Sequence, residues 1–278
     1  MIRTVTKMTI ARQFARPLVA GRSPIRNVTR ARIRWRLDLQ EAVDISIFLT
    51  GYFQRRVTEQ VVDNLPRGAS TFIDVGCNRG GIAVPVAQQR SQCRVIAIDP
   101  VGAMIDKLRE TLRLNPQITN VEVVCAFLGA PGEGGTGEVP QLIDASWNVF
   151  AKIQHPDESC ATALPVGVRH PTTLDALCDE MGVSRVDVIK IDVDGYELEV
   201  LKGASRVLRR WSPVLIMEWA TGSLLSRGCE PRDLARHLAA EGYEPLRIRP
   251  FGRPKPFDWS ELMKIPRGES CELLLRRR

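Results

Sequence analysis

Residues 72–81 read Phe-Ile-Asp-Val-Gly-Cys-Asn-Arg-Gly-Gly: an apolar run that reaches an acid at Asp74, then a turn built on Gly76, Asn78 and Gly80. Residues 94–100 form a second apolar run, closed by Asp99 and Pro100. Doubly wound α/β domains build an adenosine site from such a pair. Glycine lets the backbone approach a ligand closely, and the acid after the next strand is placed to hold a ribose diol. A dinucleotide site uses Gly-x-Gly-x-x-Gly, which lays a pyrophosphate on a helix N-terminus. Here Asn78 takes the place of the middle glycine, and Asp74 adds a carboxylate beside the turn. An extra acid suits a ligand with a cationic end, such as S-adenosyl-L-methionine, better than a pyrophosphate. A tight turn with no ligand is the plainer alternative. The order of Asp74, Gly76, Gly80 and Asp99 on their elements argues against it.

A second constellation lies at 188–197, Val-Ile-Lys-Ile-Asp-Val-Asp-Gly-Tyr-Glu. Lys190 and Asp192 are two apart on a strand and so share a face. Asp194 and Gly195 form a turn at that strand's carboxyl end, the edge where open α/β sheets bind ligands. Asp192, Asp194 and Glu197 cannot all be buried without partners, because an unpaired buried charge is costly. Helix capping accounts for part of this, with Asp194 as N-cap and Glu197 in the first turn. It does not account for Lys190 or Asp192, which lie upstream. Two nearby acids are thin grounds for a divalent ion, and no metal is assigned. The three histidines (155, 170, 237) share no helical i, i+4 spacing, so a zinc site is not expected.

The elements that must position these groups alternate. The patterning predicts strands at 32–39, 71–75, 94–98, 121–128, 186–193, 213–219, 244–248 and 271–275. It predicts helices at 80–89, 103–114, 172–181, 197–210 and 232–241, and a helical region at 44–64 broken near Gly51. The β-branched run 121–128 predicts burial on both faces. The fold class expected is α/β: a doubly wound, mostly parallel sheet with helices on both faces and an antiparallel edge strand. Residues 129–137 hold five glycines, and no periodicity returns before 172. The stretch 129–171 reads as an irregular or hairpin insertion of the kind that is often functional.

The net charge of +7 is unevenly placed. Residues 1–36 hold Lys7 and nine arginines and no acid, which leaves 29 bases against 32 acids in the remainder. The body is near neutral, so no specific nucleic-acid partner is expected. The organisation expected is a basic N-terminal extension over 1–36 and one main domain over 37–278. A solvated arm is the plain reading of the extension. A peripheral contact with a membrane surface or another anionic partner is the alternative, and an organelle-targeting segment is a third. No apolar run reaches the roughly 18 residues that span a bilayer. Seven scattered cysteines with no Cys-x-x-Cys suit a reducing, cytoplasmic setting.

The 173–175, 188–197, 201–203 and 213–218 segments, in that order and spacing, resemble the FkbM-type methyltransferase family, as does 74–80. Residues 35–53 are similar to the lead-in of bacterial members, so the resemblance runs over about 35–275. It implies a Rossmann-like class I methyltransferase fold, S-adenosyl-L-methionine as cofactor, and methyl transfer to oxygen on a sugar, glycan or natural product. Two positions depart from the family's pattern. Asp194 stands where glutamate is commoner, and Cys77-Asn78-Arg79 replaces Ala-Asn-Ile.

An alcohol acceptor must lose its proton as the methyl arrives. Asp192, assisted by Lys190 or Asp194, is the expected base. His170 is a further candidate, against the plainer reading of an exposed loop histidine, and Glu218 could meet the acceptor or pair with a base. The cofactor residues expected are Asp74, Gly76, Asn78, Gly80 and Asp99. An NAD-dependent oxidoreductase is the competing enzyme reading, weakened by Asn78 and by the absence of a Tyr-x-x-x-Lys pair. A non-catalytic binding protein on the same fold is the third. The identity of the acceptor is not written in these residues.

Overall fold

The computed structural model describes residues 16–131, 141–147, 161–168 and 171–278. The chain opens with a helical turn at 16–19 and an antiparallel hairpin, β1 (Ile25–Arg30) and β2 (Ile33–Asp38). On β2, Ile33, Trp35 and Leu37 point inward while Arg34 and Arg36 face outward. This is the two-residue period of a half-buried strand. The boundary drawn after residue 36 therefore falls inside β2. Of the basic segment, 25–36 is a packed hairpin rather than a solvated arm, because its arginines alternate with core residues. Residues 1–15 lie outside the described residues.

Two helices follow, α1 (Ala42–Thr50) and α2 (Arg55–Asn64), separated at Gly51 as the sequence predicts. Then come β3 (Ser70–Val75), α3 (Ala83–Gln89), β4 (Cys93–Asp99), α4 (Gly102–Leu114) and β5 (Val121–Cys125). Next are β6 (Leu142–Trp147), β7 (Ala161–Pro165), α5 (Leu174–Glu180), β8 (Val188–Ile191), α6 (Glu197–Lys202) and α7 (Ser205–Trp211). The chain closes with β9 (Val214–Ala220), α8 (Thr221–Ser226), α9 (Pro231–Ala240), β10 (Tyr243–Arg247), β11 (Lys255–Pro256), α10 (Trp259–Leu262) and β12 (Ser270–Arg277).

The main sheet has the order β11-β10-β12-β9-β8-β3-β4-β5. Strands β9, β8, β3, β4 and β5 are parallel, and β12 runs antiparallel between β9 and β10. This is the doubly wound, Rossmann-like α/β sheet with an antiparallel edge that the alternation implied. Every residue of β3 is buried. Alternate residues feed two cores. Phe72, Val95, Val188 and Ile216 pack with the hairpin and with α1 to α4, while Ile73, Ile96, Ile189 and Leu215 pack with α5 to α9.

Three expectations need correction. β5 is shorter than predicted and only half-buried, because it is the last strand of the sheet and pairs on one side only. The helix expected over 197–210 is broken into α6 and α7 at Gly203, where a Cβ would lie 2.1 Å from the Gly129 carbonyl oxygen. The first helix after the glycine turn begins at Ala83, three residues late, because the turn itself extends through Gly80. Within 129–171, β6 and β7 form a hairpin. His155, His170 and most of the glycine-rich stretch lie outside the described residues. Among the described residues no helix is long and apolar enough to cross a membrane.

Candidate active site

Strand order reverses at β3. One branch runs through β4 to β5 and the other through β8 to β9, so the carboxyl ends of β3 and β8 form the switch point, the place where open α/β sheets form a ligand crevice. Asp74 and Lys190 are direct neighbours in the parallel β3–β8 register. Lys190 Nζ donates to the Gly76 carbonyl at 2.8 Å. It stands 3.4 Å from Asp74 Oδ1 and 3.4 Å from Asp192 Oδ2. Both Asp74 and Lys190 are buried. Burial alone would pull the lysine down, but the carboxylates of Asp192 and Asp74 outweigh it and hold the ammonium above its ordinary range. Burial raises Asp74, and Lys190 only partly offsets this. Among the described residues no hydrogen bond reaches either Asp74 oxygen. Asp192 is the more open partner, with its side chain 21% exposed.

The glycine turn hangs from the next strand: the amides of Gly76 and Cys77 both donate to the Ile98 carbonyl, at 2.9 and 3.0 Å. Gly76, Asn78 and Gly80 all have positive φ, at 74°, 49° and 83°. Asparagine is among the few residues other than glycine that visit this region readily, which accounts for Asn78 in the middle position. Its amide donates to Asp99 Oδ2 at 2.8 Å, and Val101 donates to Asp99 Oδ1 at 2.9 Å. Burial pushes Asp99 up to about 6 against these hydrogen bonds. The expected cofactor residues Asp74, Gly76, Asn78, Gly80 and Asp99 are thus joined in one turn-and-strand-end unit. Arg79 is different. Its side chain leaves the crevice and is buried against the N-terminal hairpin.

The acid-rich loop continues the β8 ladder, with the Asp192 amide bonded to the Val75 carbonyl at 3.1 Å. Asp194 is left-handed, at φ 48°. Glu197 Oε1 accepts from the amides of Val193 and Gly195, at 3.3 and 3.2 Å, and so ties the loop across Asp194. Glu197 is buried, and burial raises it to about 7. Sequence reasoning counted Glu197 among three acids that could not all be buried without partners, explained it by helix-end preference and left it out of the site. The signal that could have found it was its place two residues after Asp194-Gly195, within reach of the turn's own amides.

Beside this loop, Val101, Met104 and Phe127 form a small apolar cluster with Leu164, Val166, Val168 and Tyr196. Phe127 meets Tyr196 edge to face at 5.2 Å, and the amide of Gly167 donates to Pro100 at 2.8 Å. The insertion therefore docks next to Asp99. Glu218 stands on β9 opposite Glu272 of β12. His170 lies outside the described residues. Among the described residues no group of three or more His, Cys, Asp or Glu side chains is arranged to hold a metal ion.

Comparison with known proteins bears on what such a crevice does. Residues 74–245, more than half of the chain, match the Methyltransferase FkbM domain. The match begins at Asp74 and spans the glycine turn, Asp99 and the Lys190–Glu197 loop. The chain is 25% identical over 211 residues to "Methyltransferase sdnD" of Sordaria araneosa, covering 68% of this chain and 72% of that protein. It is 24% identical over 167 residues to "2-O-methyltransferase NoeI" of Sinorhizobium fredii (strain NBRC 101917 / NGR234), covering 56% and 65%. Among solved structures it is similar to the methyltransferase FkbM from Methylobacillus flagellatus KT, at TM-score 0.45 and 14% identity over 97% of this chain and 59% of that one. With its glycine turn, its buried lysine and its acid loop all inside the matched region, this chain belongs to the FkbM methyltransferase family.

Proposed function

We propose that this methyltransferase uses S-adenosyl-L-methionine and methylates a hydroxyl oxygen on a small molecule or glycan, in the cytoplasm. The observation that carries the reading is the surplus of carboxylates at the crevice: Asp74 and Asp192 flank the buried ammonium of Lys190, and Asp99 closes the neighbouring strand β4. Such an edge repels a pyrophosphate and favours a ligand with cationic groups. The residues present fit that cofactor, because the buried Asp74 carboxylate at the carboxyl end of β3 has Lys190 only at 3.4 Å from one oxygen and keeps capacity to accept from a ligand. Asp99 is placed for a ribose diol, and the turn at Gly76–Asn78 admits close backbone approach. The cofactor supplies an electrophilic methyl carbon when bound. The oxygen acceptor follows the resemblance to a 2-O-methyltransferase.

The chain's own residues then divide the work. Asp192, more exposed than Asp74 and Lys190, takes the proton from the acceptor hydroxyl. Lys190 stays protonated, so it is a fixed cation that orients the Asp192 carboxylate and not a base. Glu197 holds the 193–195 loop and with it the place of Asp194. Positioning of the acceptor oxygen supplies most of the rate.

Calorimetric titration with S-adenosylhomocysteine, with NAD as control, tests the cofactor. Micromolar binding of the former alone is expected, and binding of NAD alone or of neither overturns the reading. Methyl transfer from isotopically labelled cofactor to a panel of hydroxylated acceptors then tests the oxygen. Label recovered on nitrogen would sink that half.

A further inference from the structure

We infer that Arg79 and Asp44 form a latch by which the N-terminal hairpin holds the cofactor turn in its binding shape. The inference rests on the reading of that turn as the S-adenosyl-L-methionine site. Arg79 sits inside the turn, between Asn78 and Gly80, yet its side chain is only 3% exposed and Asp44 only 1%. Arg79 Nη1 pairs with Asp44 Oδ2, and Nη2 donates to the Arg36 carbonyl of β2 at 2.9 Å. The guanidinium lies 5.7 Å from the centre of the Trp35 ring. Asp44 Oδ2 also accepts from the Asp38 amide at 2.7 Å, so α1 and β2 meet at the same carboxylate.

On the other side, the Arg79 amide donates to Asn78 Oδ1 at 2.8 Å, and the Asn78 amide donates to Asp99. A continuous polar chain therefore runs from the hairpin through the turn to the expected ribose-binding acid. A second contact closes the turn from the same direction: a Cβ on Gly81 would lie 3.1 Å from Phe53 Cβ, on the segment between α1 and α2.

A buried ion pair is a poor source of net stability, because desolvation offsets the attraction. A guanidinium fork is also directional: two of its N–H groups are committed to two different acceptors here. A neutral pair of similar volume that keeps an acceptor for the Asp38 amide would fill the space and would fix nothing about the turn. Arg79 and Asp44 are thus positioning residues, and they touch no reacting atom.

Calorimetry with S-adenosylhomocysteine on the parent, Arg79→Lys, Arg79→Met and the double variant Asp44→Asn/Arg79→Met, whose asparagine keeps an oxygen for the Asp38 amide, tests this, alongside thermal melts. Arg79→Met should bind about tenfold or more weakly. The double variant should regain most of the parent's melting temperature and keep the weak binding, with Arg79→Lys between. A double variant with the parent's melting temperature and the parent's affinity overturns the latch. A parent that binds no S-adenosylhomocysteine overturns the cofactor reading instead, so the two failures are distinct. If Arg79→Met does not fold, amide exchange in the parent decides. Coupling between sites is reciprocal, so ligand should slow exchange across 33–38, and an unchanged rate there overturns the proposal.

Discussion

The carbonyl oxygen of Asp192 lies 1.9 Å from where a Cβ on Gly76 would begin. The two residues come from different strand ends, 116 positions apart, and the site depends on their contact. Gly76 also has φ at 74°, a region that strains any side chain. Gly76→Ala should therefore lose at least about 3 kcal/mol of stability, from backbone strain and steric overlap together. Affinity for S-adenosylhomocysteine should fall more than a hundredfold. Chemical denaturation and titration check both. A variant with the parent's stability would show that β8 can move away from the turn.

Lys190 and Asp192 separate stability from chemistry. Lys190→Met leaves Asp74 and Asp192 facing each other without a cation. Breaking a buried pair this way costs about 3–5 kcal/mol, so a large drop in melting temperature is expected. Asp192→Asn keeps the size of the side chain and an acceptor for Lys190, and removes the base. Its affinity for S-adenosylhomocysteine should stay within about threefold of the parent, while kcat falls about a hundredfold or more. Equal turnover in Asp192→Asn would remove Asp192 from the chemistry.

What could be read from the chain follows the range of each interaction. The glycine turn and Asp99 were legible because strand ends and turns are local in sequence. Lys190 and Asp192 were legible as a shared face because a strand has period two. The pairing of Lys190 with Asp74 was not, since it is made by the β3–β8 register between segments far apart. The hairpin was half-hidden. Arg34 and Arg36 alternate with Ile33, Trp35 and Leu37, which predicted the strand at 32–39, but its partner β1 was lost in the basic extension drawn over 1–36. The role of Arg79 could not be seen at all, because its partner lies 35 residues upstream on a helix whose own pattern does not mark Asp44.

If Asp99 holds the ribose diol as proposed, cofactor binding should depend on pH with a definite sign. Burial pushes the Asp99 carboxyl up to about 6. A ribose diol donates to the ionised form, so binding favours loss of the proton. Affinity for S-adenosylhomocysteine should be level above about pH 7 and fall toward tenfold per pH unit below about 6. Binding near pH 5.5 should release a proton, seen as a heat that changes with the buffer's ionisation enthalpy. Asp99→Asn should bind more weakly and lose this dependence. An affinity flat from pH 5 to 8 in the parent would mean that Asp99 meets no hydroxyl.

Glu197 makes the opposite contribution, to folding rather than to binding. Burial raises its carboxyl to about 7 from an ordinary value of 4.5. Between these values the folded chain keeps the proton and the unfolded chain loses it. Stability from this group is thus fully present below about pH 4.5 and is lost as pH rises through 7. The upper bound on that loss is about 3 kcal/mol, from the size of the shift. Glu197→Gln keeps an oxygen for the amides of Val193 and Gly195 and has no charge to bury. Above pH 7 the variant should therefore be more stable than the parent, and near pH 5 the two should be close. Denaturant melts at pH 5 and pH 8 measure that difference directly. If the gap between the two proteins does not widen with pH, Glu197 is ionised in the fold, and the loop it ties is held by charge rather than by a neutral acid.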